Sequence, residues 1–163
     1  SWCYGDDPSN CSTYGRLYTW DVASGGTTGS TNPSGVQGVC PTGWHLPSDV
    51  EWQQLEIYLN MDPSVANTAG WRGTDQGSQL KESGTSHWNS GNTGTNSSGF
   101  TALPGGYRIA SGTFGGLGYN GYWWSATEDG SLAWGRNLNY DDAPVDRDTH
   151  GKGDGYAVRC LSD

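Results

Sequence analysis

The chain has 163 residues, 33% hydrophobic and 15% charged, and its 17 Asp and Glu against 8 Lys and Arg give a net charge of −9. That length suits one domain with a single buried core. An acidic chain repels phosphate backbones, which argues against a nucleic-acid partner. No apolar run approaches the ~20 residues that cross a bilayer, which argues against direct membrane insertion. Aliphatic residues are scarce, but 9 Trp and 9 Tyr are present. Aromatic rings, each able to bury roughly 150–250 Å², must therefore carry most of the core. The chain begins at Ser1 without a signal-peptide pattern and reads as a mature or trimmed portion of a longer product.

The first element in chain order is a short loop bounded by Cys3 and Cys11 around Asp6-Asp7-Pro8. The four cysteines, with Cys40 and Cys160, show no CxxC spacing, and His45, His87 and His150 lie far apart in sequence, which disfavours a zinc site. An even cysteine count in a Gly-rich acidic chain favours an oxidising compartment. Of the three pairings, Cys3 with Cys11 and Cys40 with Cys160 is the one expected, and the long second loop would contribute about 4–5 kcal/mol in the chain-entropy model.

Tyr14 to Trp20 is aromatic and β-prone and reads as a strand or extended entry segment, and Ala23 to Gly38 reads as a loop. One helix is clear. Ser48-Asp49-Val50-Glu51 is a capping box, Asp49 and Glu51 suit the positive end of the helix dipole, and Trp52, Leu55 and Leu59 form one face through about Asn60. Thr68 to Gly99 is dominated by Gly, Ser, Thr and Asn, held by Trp71, Leu80 and Trp88, with a brief ordered stop at Gln79-Leu80-Lys81. Four strands are then expected: Phe100–Arg108 broken by a Pro-Gly turn, Gly121–Thr127, Leu132–Tyr140 after a turn at Glu128–Ser131, and Gly155–Leu161. Strands segregated after one early helix make the class α+β. Asn10 and Asn96 begin glycosylation sequons, a pattern common by chance.

Several segments carry a family resemblance: Trp2-Cys3-Tyr4, Tyr14 to Trp20, Val39-Cys40-Pro41-Thr42-Gly43-Trp44-His45-Leu46-Pro47-Ser48-Asp49, Ala102 to Arg108, Trp123-Trp124-Ser125-Ala126-Thr127-Glu128 and Val158-Arg159-Cys160. Together, and in this order, they resemble the Fibrobacter succinogenes major paralogous domain. The resemblance implies one domain over residues 1–163 with a C-type lectin-like fold, related to the formylglycine-generating-enzyme group. It implies a secreted or cell-surface bacterial protein. It also implies an upstream strand that this chain starts after. An edge left open that way would make strand donation between subunits a route to self-association.

Function is expected in the stretch from Asn137 to Asp154, where the resemblance implies a long loop before the last strand. The candidate ligand-binding residues are Trp124, Trp134, Asn139, Tyr140, Asp141, Asp142, Asp146, Asp148 and His150, because aromatic faces stack on sugar rings while Asp and Asn accept hydroxyl bonds. Alternation allows only one of Trp123 and Trp124 to face outward. Calcium is the one cofactor suggested, through irregular ligation by Asp141, Asp142, Asp146 and Asp148. An EF-hand is ruled out, since His150 stands at the third ligand place and Ala157 where the bidentate Glu belongs. No nucleophile elbow, phosphate loop or paired acid/base is apparent, and Cys40 and Cys160 read as structural. The expectation is a non-catalytic recognition or adhesion module for a glycan or surface protein, with a structural subunit of a surface filament or coat as the alternative.

Overall fold

The computed structural model describes all 163 residues. After a 3-10 turn at Tyr4–Asp6, helix α1 spans Pro8–Tyr14. Asp7 caps it by accepting from the Ser9 amide at 2.9 Å, Pro8 sits in its first turn, and Gly15 at φ +80° ends it. A second short helix, α2, spans Trp20–Ser24. The two helices take the ends, Tyr14 and Trp20, of the strand or extended entry segment expected there, and the residues between them are non-helical and form the single bridges Trp2 to Leu17 and Tyr18 to Tyr156.

Strand β1 (Trp44–His45) leads into helix α3 (Asp49–Tyr58), followed by α4 (Pro63–Ala66), β2 (Gly70–Arg72) and α5 (Gln76–Leu80). The remainder is β: β3 (Gly105–Arg108), β4 (Phe114–Leu117), β5 (Asn120–Asp129), β6 (Leu132–Asn139), β7 (Val145–Gly151) and β8 (Leu161–Ser162). The chain is thus α+β, with a six-stranded sheet in the order β2-β7-β6-β5-β3-β4 and a two-stranded sheet of β1 and β8. Both expected disulfides are formed, and Cys40–Cys160 ties the segment before β1 to the segment before β8.

Two of the strand expectations require correction. The stretch from Asn137 to Asp154 is no long loop, because Val145–Gly151 pairs along β6 as β7. The fourth expected strand, Gly155–Leu161, breaks into single bridges at Gly155, Tyr156 and Ala157, and regular pairing resumes only at Leu161.

The sheet lies between two cores. Successive residues of a strand point to opposite faces, so Trp124 packs with Trp20, Ala23, Val36, Cys40 and Leu46 on one side, while Trp123 packs with Trp52, Leu59, Leu80, Trp88 and Leu138 on the other. Helix α3 covers the Trp123 side. Its capping box is present, Ser48 Oγ accepting from the Glu51 amide at 3.2 Å and Glu51 Oε2 from the Ser48 amide at 2.9 Å. The Glu51 carboxylate also binds the Ser34 amide and, at 2.8 Å, His45 Nε2, whose other ring nitrogen lies 2.7 Å from Asp163.

A buried layer of charge fills the gap between α3 and the sheet. Arg136 reaches Glu56 and Asp49, each at 2.7 Å, Arg147 reaches Asp49 at 2.7 Å, and Arg72 pairs with Glu56. Burial raises the cost of the Asp49 charge, but Arg136 and Arg147 outweigh it and hold the carboxyl below its ordinary range. Removing Glu56 would strand the buried charge of Arg72, and removing Asp49 that of Arg147.

Candidate functional site

The register of β5, β6 and β7 decides which side chains share a surface. Asn120 pairs with Asn139, Tyr122 with Asn137, and Trp124 with Gly135. Across the next ladder Asn137 pairs with Asp146, Gly135 with Asp148, and Ala133 with His150. Paired residues lie on one face. That face therefore carries Asn120 and Tyr122 from β5, Asn137 and Asn139 from β6, and Asp146, Asp148 and His150 from β7.

One end of this face is closed by aromatic packing. Tyr122 stacks on Tyr156 at 4.8 Å, Tyr107 meets Tyr122 edge-on at 5.2 Å, and His150 packs edge-on to Tyr156 at 5.0 Å. Gly135 makes room for this: a Cβ there would come within 3.1 Å of the His150 ring. Burial lowers the His150 pKa against the pull of Asp148 and Asp154, so its imidazole stays neutral at neutral pH. Burial, then Tyr107 and Asp146, push the Tyr122 hydroxyl up to about 12, which keeps it a neutral donor.

Asp146 is the unpaired carboxylate of the half-buried part of the face, beside the buried and equally unpartnered His150 Nε2. Burial first and the neighbouring Asp148 second raise its carboxyl above the ordinary Asp range, and no hydrogen bond compensates. The other end carries amides, with Asn120 Nδ2 3.5 Å from the side-chain oxygens of both Asn137 and Asn139.

The turn from Asn139 to Asp142, between β6 and β7, is folded around a lysine. The buried Lys81 ammonium donates to the carbonyls of Asn139 at 2.6 Å, Tyr140 at 3.0 Å and Asp142 at 2.7 Å, and to Thr93 Oγ1 at 2.8 Å. Burial lowers its pKa to about 8, with Asp142 and Asp141 opposing the shift. Asn139 Nδ2 donates to Asp141 and Asp142, each at 2.9 Å. Oxygen atoms converging in this way would suit a hard cation, and here the side-chain ammonium of Lys81 fills the centre.

The sequence candidates fall into four groups. Asn139, Asp146, Asp148 and His150 share the face just described. Tyr140, Asp141 and Asp142 belong to the Lys81 turn, with Tyr140 edge-on to Tyr119 at 5.4 Å. Trp124 is fully buried and its indole N–H donates to the Tyr18 carbonyl at 2.8 Å, so it is core and touches no ligand. Trp134 points to the opposite face, where the Arg147 guanidinium covers it at 3.7 Å. The four aspartates proposed for calcium are split between turn and strand, and no group of three or more His, Cys, Asp or Glu side chains is placed to hold a metal ion. Asn120, Tyr122 and Asn137 share this face and are not among the sequence candidates, although the alternation of Asn120, Tyr122 and Trp124, and of Asn137 and Asn139, was available in the sequence.

Fold and surface together define a disulfide-stapled α+β domain that presents a polar and aromatic sheet face. The chain belongs to the Fibrobacter succinogenes major domain family, whose match covers residues 1–162. That family is bacterial. No curated protein and no solved structure matches the chain.

Proposed function

We propose that this chain is a secreted or surface-attached, non-catalytic recognition domain of C-type lectin-like architecture, and that it binds a glycan on the β5–β7 face. The observation that carries the reading is Asp146, a half-buried carboxylate without a hydrogen-bond donor of its own, next to the neutral donor Tyr122. A carboxylate withdrawn from water without a partner is costly, and a sugar hydroxyl supplies the missing donor. Tyr107 and Tyr122 offer ring edges and hydroxyls, and Asn120 and Asn139 offer amides that both donate and accept. The two disulfides suit an oxidising compartment, and no helix is long and apolar enough to cross a membrane.

An array of immobilised oligosaccharides tests this directly. Retention of a defined glycan set is expected, falling roughly tenfold or more in a combined Asp146→Asn and Tyr122→Phe variant, as loss of hydrogen bonds to a charged group implies. A variant with Asp141→Asn and Asp142→Asn is expected to bind like the parent. Equal retention by all three proteins, or none by the parent, overturns the assignment.

A further inference from the structure

Trp71 stands at the outer edge of the face that carries Asp146. Strand β2 is the outermost strand beside β7, and its register sets Trp71 opposite Asp146, with Gly70 opposite Arg147 and Arg72 opposite Val145. Side chains alternate along a strand. Arg72 points toward α3, where it pairs with Glu56, so Trp71 points the other way, onto the Asp146 face. One row of paired positions thus crosses four strands, from Tyr122 through Asn137 and Asp146 to Trp71.

This indole differs from most others in the chain. Trp20, Trp52, Trp88, Trp123 and Trp124 are buried, and guanidinium groups cover Trp2 and Trp134. Trp44 and Trp71 are exposed, at 45% and 46%, and Trp44 lies in the separate two-stranded sheet. Trp71, expected to hold its segment in place, instead leaves close to half of its surface in water. Directly paired side chains have Cβ atoms roughly 4.5–5.5 Å apart, so a small ring resting on this indole brings its rim over the Asp146 carboxylate. Strand β7 gives this face Asp146 and Asp148, and the positions paired with them across β6, β5 and β2 hold no Lys or Arg.

We propose that Trp71 and Asp146 form a subsite for an uncharged pyranoside with adjacent equatorial hydroxyls, its apolar C–H face lying on the indole and two neighbouring hydroxyls donating to the carboxylate of Asp146. The inference rests on the β5–β7 face being the glycan surface, and it names the sugar that face takes. An exposed indole offers a flat apolar area with a negative π face, and the C–H side of a pyranose ring covers it and removes it from water. An ionised carboxylate only accepts hydrogen bonds and has two oxygens to do so, which suits a pair of vicinal hydroxyls. A sugar carrying its own carboxylate meets Asp146 and Asp148 with no cation between them, and that repulsion selects against it.

The test follows the indoles by fluorine NMR in protein containing fluorotryptophan, the Trp71 line being identified by its absence from a Trp71→Phe variant. The probes are methyl β-glucopyranoside and methyl β-glucuronide, which differ only in whether the exocyclic carbon is a hydroxymethyl or a carboxylate. The glucoside is expected to shift the Trp71 line, and the indole ring current to move the sugar C–H protons upfield. The glucuronide should bind at least roughly tenfold more weakly, as like charges without a partner imply. Trp71→Ala should lose roughly tenfold in glucoside affinity, as removal of a stacked ring implies, and keep the parent melting temperature. A Trp71 line unmoved by the glucoside, equal glucoside affinity of Trp71→Ala and the parent, or equal affinity for the two probes overturns the subsite. Array retention that falls in the Asp146→Asn and Tyr122→Phe variant but not in Trp71→Ala leaves the glycan face standing and removes the subsite alone, whereas retention insensitive to every one of these changes removes both.

Discussion

Asp146 and Arg147 are adjacent on β7, yet the two faces of the sheet treat their charges in opposite ways. Arg147 points toward α3, where Asp49, Glu56, Arg72 and Arg136 complete one another within a dry layer. Asp146 points to the other side and has no partner. A fold that satisfies five charges on one face and leaves one unpaired on the next residue separates frame from the proposed binding surface along a single strand. The difference also predicts that the α3 side tolerates little change. There each charge is held by another, whereas on the open face a polar group is free to serve something outside the protein.

The contrast breaks most visibly on the framed side. Replacing Arg136 by Met removes one of the two guanidinium partners of both Glu56 and Asp49, leaving them to Arg72 and Arg147, and chemical denaturation should show a loss of about 3–4 kcal/mol. Lys81→Met takes the ammonium from three turn carbonyls and Thr93, with Thr93 still donating to the Tyr140 and Asp142 carbonyls, and the same assay should read a loss of about 2–3 kcal/mol, with the amide resonances of Asn139 to Asp142 displaced. A smaller effect belongs to His45. Burial lowers its pKa, but hydrogen bonds to Glu51 and Asp163 outweigh that and raise it. Its stabilisation is therefore full below the unfolded value of about 6.5 and is lost as pH rises through the higher folded value. Melting temperature should fall over that window in the parent and stay flat across it in His45→Gln. The smallest effect on stability is expected at Asp146→Asn, within about 0.5 kcal/mol of the parent, because no bond is broken.

Parts of this arrangement were legible in the sequence because their causes are local. Ser48 and Glu51 define the α3 cap three residues apart, and the aromatic run of β5 with the turn at Gly130 marks a hairpin. The strand β7 was not legible, since after Val145 its positions on that side hold Arg147 and Thr149, where a core strand would continue with aliphatics. The group that makes Arg147 a buried residue, Asp49, is 98 residues away. Helix α1 was hidden because Asp7 and Pro8 read equally well as a turn. The ligand-binding role assigned to Trp124 failed for a related reason: aromatic residues of β5 face a core on both sides, and a strand with two buried faces leaves no outward tryptophan. The aspartates looked like a metal site because sequence shows the acids but not the Lys81 ammonium that the turn carbonyls enclose.

The account stands most directly on one variant measured twice. Asp146→Asn should melt at or slightly above the parent temperature, since the amide relieves a carboxylate that burial opposes, while its retention on the glycan array falls roughly tenfold. A variant that melts well below the parent yet retains the same glycans would place Asp146 in the frame and contradict the claim that its face is the binding surface.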